Sequence, residues 1–208
     1  MLTLIENGEI YAPEFSGQNS ILLGAGEIAI SDERATDPQT HELAKLVSDT
    51  HNGGMLSKKA GVTHFHVGTG EKRLQLLRDL IDNYDISAEW IYATHITRSE
   101  ELMKEAIDLG KLGSFVDIDT VDEDLPKWFK FYLDNGGLPE KLTISTDASI
   151  TSPSNLLTQI RACIIEHKFP IKQVLACVTA NTFDAHRRGA FLFDTNEMHF
   201  ILARCLAR

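Results

Sequence analysis

The stretch GVTHFHVG, residues 61–68, sets two histidines one residue apart in an apolar, β-branched run closed by glycine. His95 follows His66 by 29 residues, and Asp147 follows Asp117 by 30. Imidazole nitrogens and carboxylate oxygens are the ligands a catalytic zinc takes, with one position left for water whose pKa falls to roughly 7. His66, His95 and Asp147 thus offer metal ligands, and Asp147 also offers a base for the proton of that water. A single strand-end histidine is more often a hydrogen-bonded polar group than a ligand. Recurrence on successive strand ends is what brings ligation into play. His64 shares a face with His66. Both rings of the HxH binding one metal, or His64 lying one layer deeper, fit the local pattern equally. His41, His51, His167, His186 and His199 fall on helices or in the tail and are expected to be solvated.

These residues need a scaffold, and the sequence from Ile30 onward alternates strand and helix patterns. Expected strands are 27–32, 60–68, 90–96, 113–120 and 141–147, with Asp117 or Asp119 on the fourth. Expected helices are 37–54, 71–84, 99–110, 124–135, 153–168 and 171–181. Leu43, Leu46 and Val47 mark the apolar stripe of the first helix, and Gly53-Gly54 its stop. Asp37 and Ser99 suit helix N-caps. Repeated β-then-α units imply a parallel sheet with right-handed crossovers, whose ligand-binding residues lie at the C-terminal strand ends. Spacings of 29 and 30 residues approach the unit of about 31 in a (β/α)₈ barrel. Residues 1–29 read differently, as a small β segment of short antiparallel strands turning at Asn7-Gly8 and breaking at Gly24–Gly26. The expected division is 1–29, a barrel portion at 30–183, and a divergent tail at 184–208.

Composition narrows the function. Twenty Lys and Arg against 30 Asp and Glu give a net charge of −10. A phosphate-binding face needs clustered positive charge, and Arg187-Arg188 near one end is too small a cluster, so nucleic acid is not an expected partner. Cys163, Cys177 and Cys205 lie far apart in apolar stretches and read as buried thiols. MLTLIENGEIYAPE has neither the basic nor the apolar region of a secretory signal, and no apolar run reaches bilayer length. A cytoplasmic enzyme without a membrane partner is the expectation.

Read in order, ENGEIYAPE, ISDERA, GGMLSKKAGVTHFHVGTG, ATHITRS and LTISTDASITSP resemble the amidohydrolase superfamily and, within it, isoaspartyl dipeptidases. The similarity runs through most of residues 1–182. It implies a partial (β/α)₈ TIM-type α/β barrel, about strands 4 to 8, with a small N-terminal β segment. It also implies zinc, two ions per site in the family, and hydrolysis of the β-aspartyl bond of a dipeptide substrate. His66 and His95 match the metal histidines of strands 5 and 6. Asp147 matches the strand-8 aspartate that is both ligand and general base. Arg34 and Arg98 match arginines that hold substrate carboxylates, for which bidentate guanidinium forks are suited. Thr151 falls where the family has a small hydroxyl residue against the substrate. By this mapping His64 is not a ligand.

The sequence also departs from the family. The HxH of the first barrel strand is absent before EIAISD, and Glu27 stands nearest the position of the carboxylated bridging lysine. The segment bearing the carbonyl-polarising tyrosine is missing too, as if an internal block of strands had been deleted. A barrel cut this way is expected to present an apolar strand edge and bare helix faces to water, and so to form a homo-oligomer. Two readings follow. One is an isoaspartyl-dipeptidase-like zinc hydrolase, active or descended from one, with one ion or none plausible where the family has two. The other is a catalytically impaired remnant that at most binds metal or ligand.

Overall fold

The computed structural model describes residues 2–12, 14–57, 60–122, 124–147 and 153–185, with side chains from residue 25 onward except that of Glu27. Strand β1 (Leu2–Ala12) pairs antiparallel with β2 (Glu14–Ile30). β2 then pairs in parallel with β3 (Val62–Val67), followed by β4 (Ile91–Thr94), β5 (Phe115–Asp119) and β6 (Leu142–Ser145). The result is one sheet in the order β1-β2-β3-β4-β5-β6. Between the strands run helices α1 (Thr40–Ser57), α2 (Gln75–Asn83), α3 (Glu100–Lys111) and α4 (Leu125–Asp134). After β6 come α5 (Pro153–Ile165), α6 (Ile171–Val178) and α7 (Ala180–Ala185). This mixed α/β architecture, with five successive strands parallel, is the arrangement expected from the βα alternation and is consistent with an arc of a TIM-type barrel.

Alternation along the strands gives the sheet two unlike faces. Phe65 and Val67, Ile91 and Ala93, Val116 and Ile118, and Leu142 and Ile144 all join the buried core. Fully buried helix residues such as Leu77, Leu80, Leu102, Met103, Ile107 and Phe129 belong to the same core. The helix faces expected to lie bare are therefore covered by the sheet. Residues at the alternate positions, His64 and His66, Tyr92 and Thr94, Asp117 and Asp119, Thr143 and Ser145, share the other face. Branched apolar side chains fill the interior of a closed TIM barrel; here the corresponding face is polar.

Several local expectations are corrected. Asn7-Gly8 is not the hairpin turn: β1 and β2 run on to Ala12 and Glu14, and Gly8 lies at a register irregularity, as a β-bulge accommodates an extra residue without ending a strand. Gly24–Gly26 does not break β2 either, although the β2/β3 register shifts between Ala25 and Ile28, where Glu27 lies. β2 carries the N-terminal hairpin directly into the parallel sheet.

Gly53-Gly54 does not end α1, which continues to Ser57. Gly54 serves a close approach instead, since a Cβ there would sit 2.3 Å from the Cα of Gly61. Asp37 is not the N-cap of α1. Gln39 takes that position, with its N–H donating to the Glu42 carboxylate at 2.9 Å in a capping-box contact. Ser99 does cap α3, its Oγ accepting from the Leu102 N–H at 3.1 Å. His51 is half-buried rather than fully solvated, its ring stacked on Trp90 with centroids 3.8 Å apart. At the far end of the sheet, the Asn181 amide donates to the carbonyls of Pro139 and of Leu142 in β6, both at 2.7 Å. Residues 186–208, most of the expected tail with Arg187-Arg188, His186, His199 and Cys205, lie outside the described residues. No helix among the described residues is long and apolar enough to cross a membrane.

Candidate active site

The C-terminal ends of the parallel strands bring the candidate residues to one rim. His66 is the penultimate residue of β3, and His95 follows β4 directly. Their rings meet edge to face with centroids 4.1 Å apart. His95 adopts φ 65°, ψ 37°, and Asp147, just beyond β6, has φ 45°. For a residue with a Cβ this left-handed backbone costs about 1–2 kcal/mol. Its recurrence just past two strands is strain held at the rim, where functional residues tend to carry it.

The turn after β2 supplies the neighbours of His66. Asp32 Oδ1 accepts from the Arg34 backbone N–H and from Nε, and Oδ2 accepts from Nη2, all at 2.8 Å. Asp32 Oδ2 also lies 3.3 Å from His66 Nε2, which the Arg34 guanidinium touches. Hydrogen bonding to Arg34 holds the Asp32 carboxyl well below the usual carboxylate range, against the opposing effect of burial. Arg34 is in turn raised by Asp32, and the charge of Asp147 contributes to that rise, which brings the third candidate ligand into the same electrostatic neighbourhood. A glycine bed fixes this turn. The Gly68 N–H donates to Ile30 O at 3.0 Å and the Gly70 N–H to Ser31 O at 2.6 Å.

Behind His95 stands Asp119 of β5, whose Oδ2 is 2.7 Å from His95 Nδ1. Both side chains are nearly inaccessible. Burial pushes the Asp119 carboxyl up, but the His95 hydrogen bond and charge, with the Val121 N–H and Arg98, hold it below its ordinary value. One layer deeper, Asp117 accepts from four hydroxyls: Tyr92 at 3.0 Å, Thr94 at 2.8 Å, and Thr143 and Ser145 each at 2.7 Å. This network joins β4, β5 and β6 immediately below the rim. His64 packs in the same layer, its ring edge-on to Tyr92 at 4.5 Å, the deeper position that the sequence left open.

The substrate-binding candidates divide. Arg98 is exposed, donates from Nε to Val67 O at 3.0 Å, and borders a cavity of about 190 Å³ with Gly68, Thr69 and Ser99. Arg34, expected to hold a substrate carboxylate, holds Asp32 instead, although its side chain remains 63% exposed. Thr151 lies outside the described residues.

The two imidazoles suit a metal ion. His95 Nε2 is a buried nitrogen with no hydrogen-bond partner, and the carboxylate on Nδ1 is the support that metal-binding histidines usually have. His66 Nε2 would exchange Arg34 for the ion. Among the described residues no group of three or more His, Cys, Asp or Glu is already gathered to hold one, so Asp147 would have to close in to complete the set.

No family model matches the sequence. Solved structures do match. The chain is similar to β-aspartyl dipeptidases. One is the β-aspartyl dipeptidase of the thermophilic, keratin-degrading Fervidobacterium islandicum AW-1 in complex with a β-Asp-Leu dipeptide, at 31% identity and a TM-score of 0.73. That match covers 79% of this chain and 48% of the other. A second structure of β-aspartyl dipeptidase from the same organism gives 32% identity and a TM-score of 0.71, covering 79% of this chain and 46% of the other. The chain thus spans about half the length of the solved structures it matches.

Two site residues were not singled out from sequence as partners of the histidines. Asp32 lies within ISDERA, where the Asp-x-Arg spacing that folds Arg34 back onto Asp32 is a local signal. Asp119 is, with Asp117, one of two carboxylates near the end of the expected strand 113–120. The alternation in VDID places both on the polar face, but only packing shows that Asp119 meets His95 while Asp117 meets hydroxyls.

Proposed function

We propose that the chain is a zinc-dependent amidohydrolase that cleaves the β-aspartyl peptide bond of dipeptides. The observation that carries this reading is the pairing of His66 with His95 at adjacent strand ends, in a chain similar to an enzyme solved with β-Asp-Leu. Zinc, if bound here, would supply a Lewis acid that acidifies water and polarises an amide carbonyl. His66, His95 and Asp147 would hold it. Asp147 accepts the proton of the attacking water and passes it to the leaving amine. Arg98 binds one substrate carboxylate and Arg34 another, by exchanging Asp32 for the ligand. That exchange also withdraws the guanidinium from His66 Nε2. Thr151 contacts the bound dipeptide. The working form is a homo-oligomer assembled through an end of the sheet.

A second reading, an impaired remnant with an internal deletion, is favoured by the open six-strand order and by Arg34 standing on His66. The test is an assay of β-Asp-Leu hydrolysis with added zinc, beside a calorimetric titration of the same dipeptide. Turnover abolished by Asp147→Ala supports the enzyme. Binding without turnover supports the remnant, and absence of both sinks the dipeptidase reading.

A further inference from the structure

We infer that Asp119 is a positioning residue of this site, holding His95 as its Nδ1–H tautomer so that Nε2 is kept as an unprotonated lone pair beside His66. The use of that lone pair rests on the metallohydrolase reading above, whereas the tautomer can be measured without it. The geometry carries the argument. Nδ1 and Oδ2 are 2.7 Å apart, and the two side chains are only 5% and 6% exposed, so water does not compete for the contact. An ionised carboxylate is an acceptor only, so the proton of the pair resides on Nδ1. A neutral imidazole has a single N–H, which leaves Nε2 bare.

Nε2 is buried and has no hydrogen-bond partner, a state that normally costs about 1–3 kcal/mol and calls for a reason. Service as a ligand is such a reason. The carboxylate is itself held, since Asp119 Oδ1 accepts from the Val121 N–H at 3.1 Å. His95 is held from the other side by its left-handed backbone. Asp119 therefore acts through His95, setting which nitrogen faces the chemistry and at what angle.

The test uses the full chain at pH 8, with ¹⁵N-labelled histidine and long-range ¹H–¹⁵N correlation of the imidazoles. His95 is assigned by the signal lost in His95→Gln. The wild type should show Nδ1 protonated and Nε2 bare. Asp119→Asn, which keeps a carbonyl acceptor, should retain this pattern, and Asp119→Ala should lose it. In a cobalt(II) titration followed by visible absorbance, Asp119→Ala should bind about 10–100-fold more weakly than the wild type. An Nε2–H tautomer in the wild type overturns the inference, even if Asp119→Ala fails to fold. A well-folded Asp119→Ala with the wild-type tautomer or the wild-type cobalt affinity overturns it as well. Wild type with bare Nε2 and no cobalt binding upholds the role of Asp119 and rejects the metallohydrolase reading.

Discussion

Gly68 lies directly against Asp32: a Cβ at Gly68 would come within 2.4 Å of both Cα and Cβ of Asp32. Neither atom is the far end of a flexible side chain, so the backbone itself would have to move. Gly68→Ala is therefore expected to destabilise the fold by about 1–3 kcal/mol, the usual cost of overpacking. It should also shift the turn that carries Asp32 and Arg34. Urea unfolding of wild type and variant measures the first effect, and an unchanged midpoint would contradict the close packing described.

Asp117, beneath the rim, gathers four hydroxyls. Asp117→Ala strands those hydroxyls in a buried layer, although Tyr92 and Thr143, 2.8 Å apart, can still bond each other. With about 1–3 kcal/mol for each group left unsatisfied, a net loss of about 3 kcal/mol is expected. Chemical denaturation decides it, and a loss below about 1 kcal/mol would show that the layer re-pairs without its acceptor.

Acid should act through Asp119. Its folded pKa lies below the ordinary value once the His95 contact has outweighed burial. The ionised carboxylate thus contributes stability that is complete above the unfolded pKa of about 3.9 and is lost as pH falls from there through the folded value. The stability difference between wild type and Asp119→Asn should be constant near neutrality and shrink on acidification below about pH 4. Denaturation midpoints across a pH series measure this, and a difference that grows in acid would reverse the sign.

Burial pushes the thiols of Cys163 and Cys177 up to about 12. At pH 8 the thiolate fraction is then about one part in 10⁴, and the thiolate is the reactive form. Neither cysteine should react with an aromatic disulfide reagent in the native protein, and both should react once it is denatured. Mass mapping of the labelled positions tests each one.

Zinc content should fall in His66→Ala and in His95→Ala. Two imidazoles at one rim leave a single nitrogen ligand when either is removed, and affinity depends on ligand number. Inductively coupled plasma mass spectrometry of dialysed protein reads the stoichiometry directly. Wild-type zinc levels in both variants would place any bound metal elsewhere.

The strands that carry the site were legible because their cores alternate within short runs bounded by turns: VTHFHV, IYAT and LTIS all fall within the expected segments. Ser99 was legible as a cap because the contact spans three residues. What escaped the sequence depends on distant parts of the chain. Gly53-Gly54 has the composition of a helix stop, but Gly61 approaches so closely that α1 needs glycine in mid-helix. His51 has a polar side chain on a helix, but Trp90 arrives from another element to cover it. Arg34 has the composition of an anion clamp, and its nearest anion proves to be Asp32, two residues away. In each case a local rule was met and a tertiary neighbour decided the outcome.

The Asn181 amide on the Leu142 carbonyl has a consequence for assembly. A sheet with two available ends can add copies head to tail without limit, whereas one that pairs through a single end by a two-fold axis is complete at two. A strand arriving at β6 would find one lone pair of the Leu142 carbonyl already engaged by Asn181, which weakens ladder pairing at that residue.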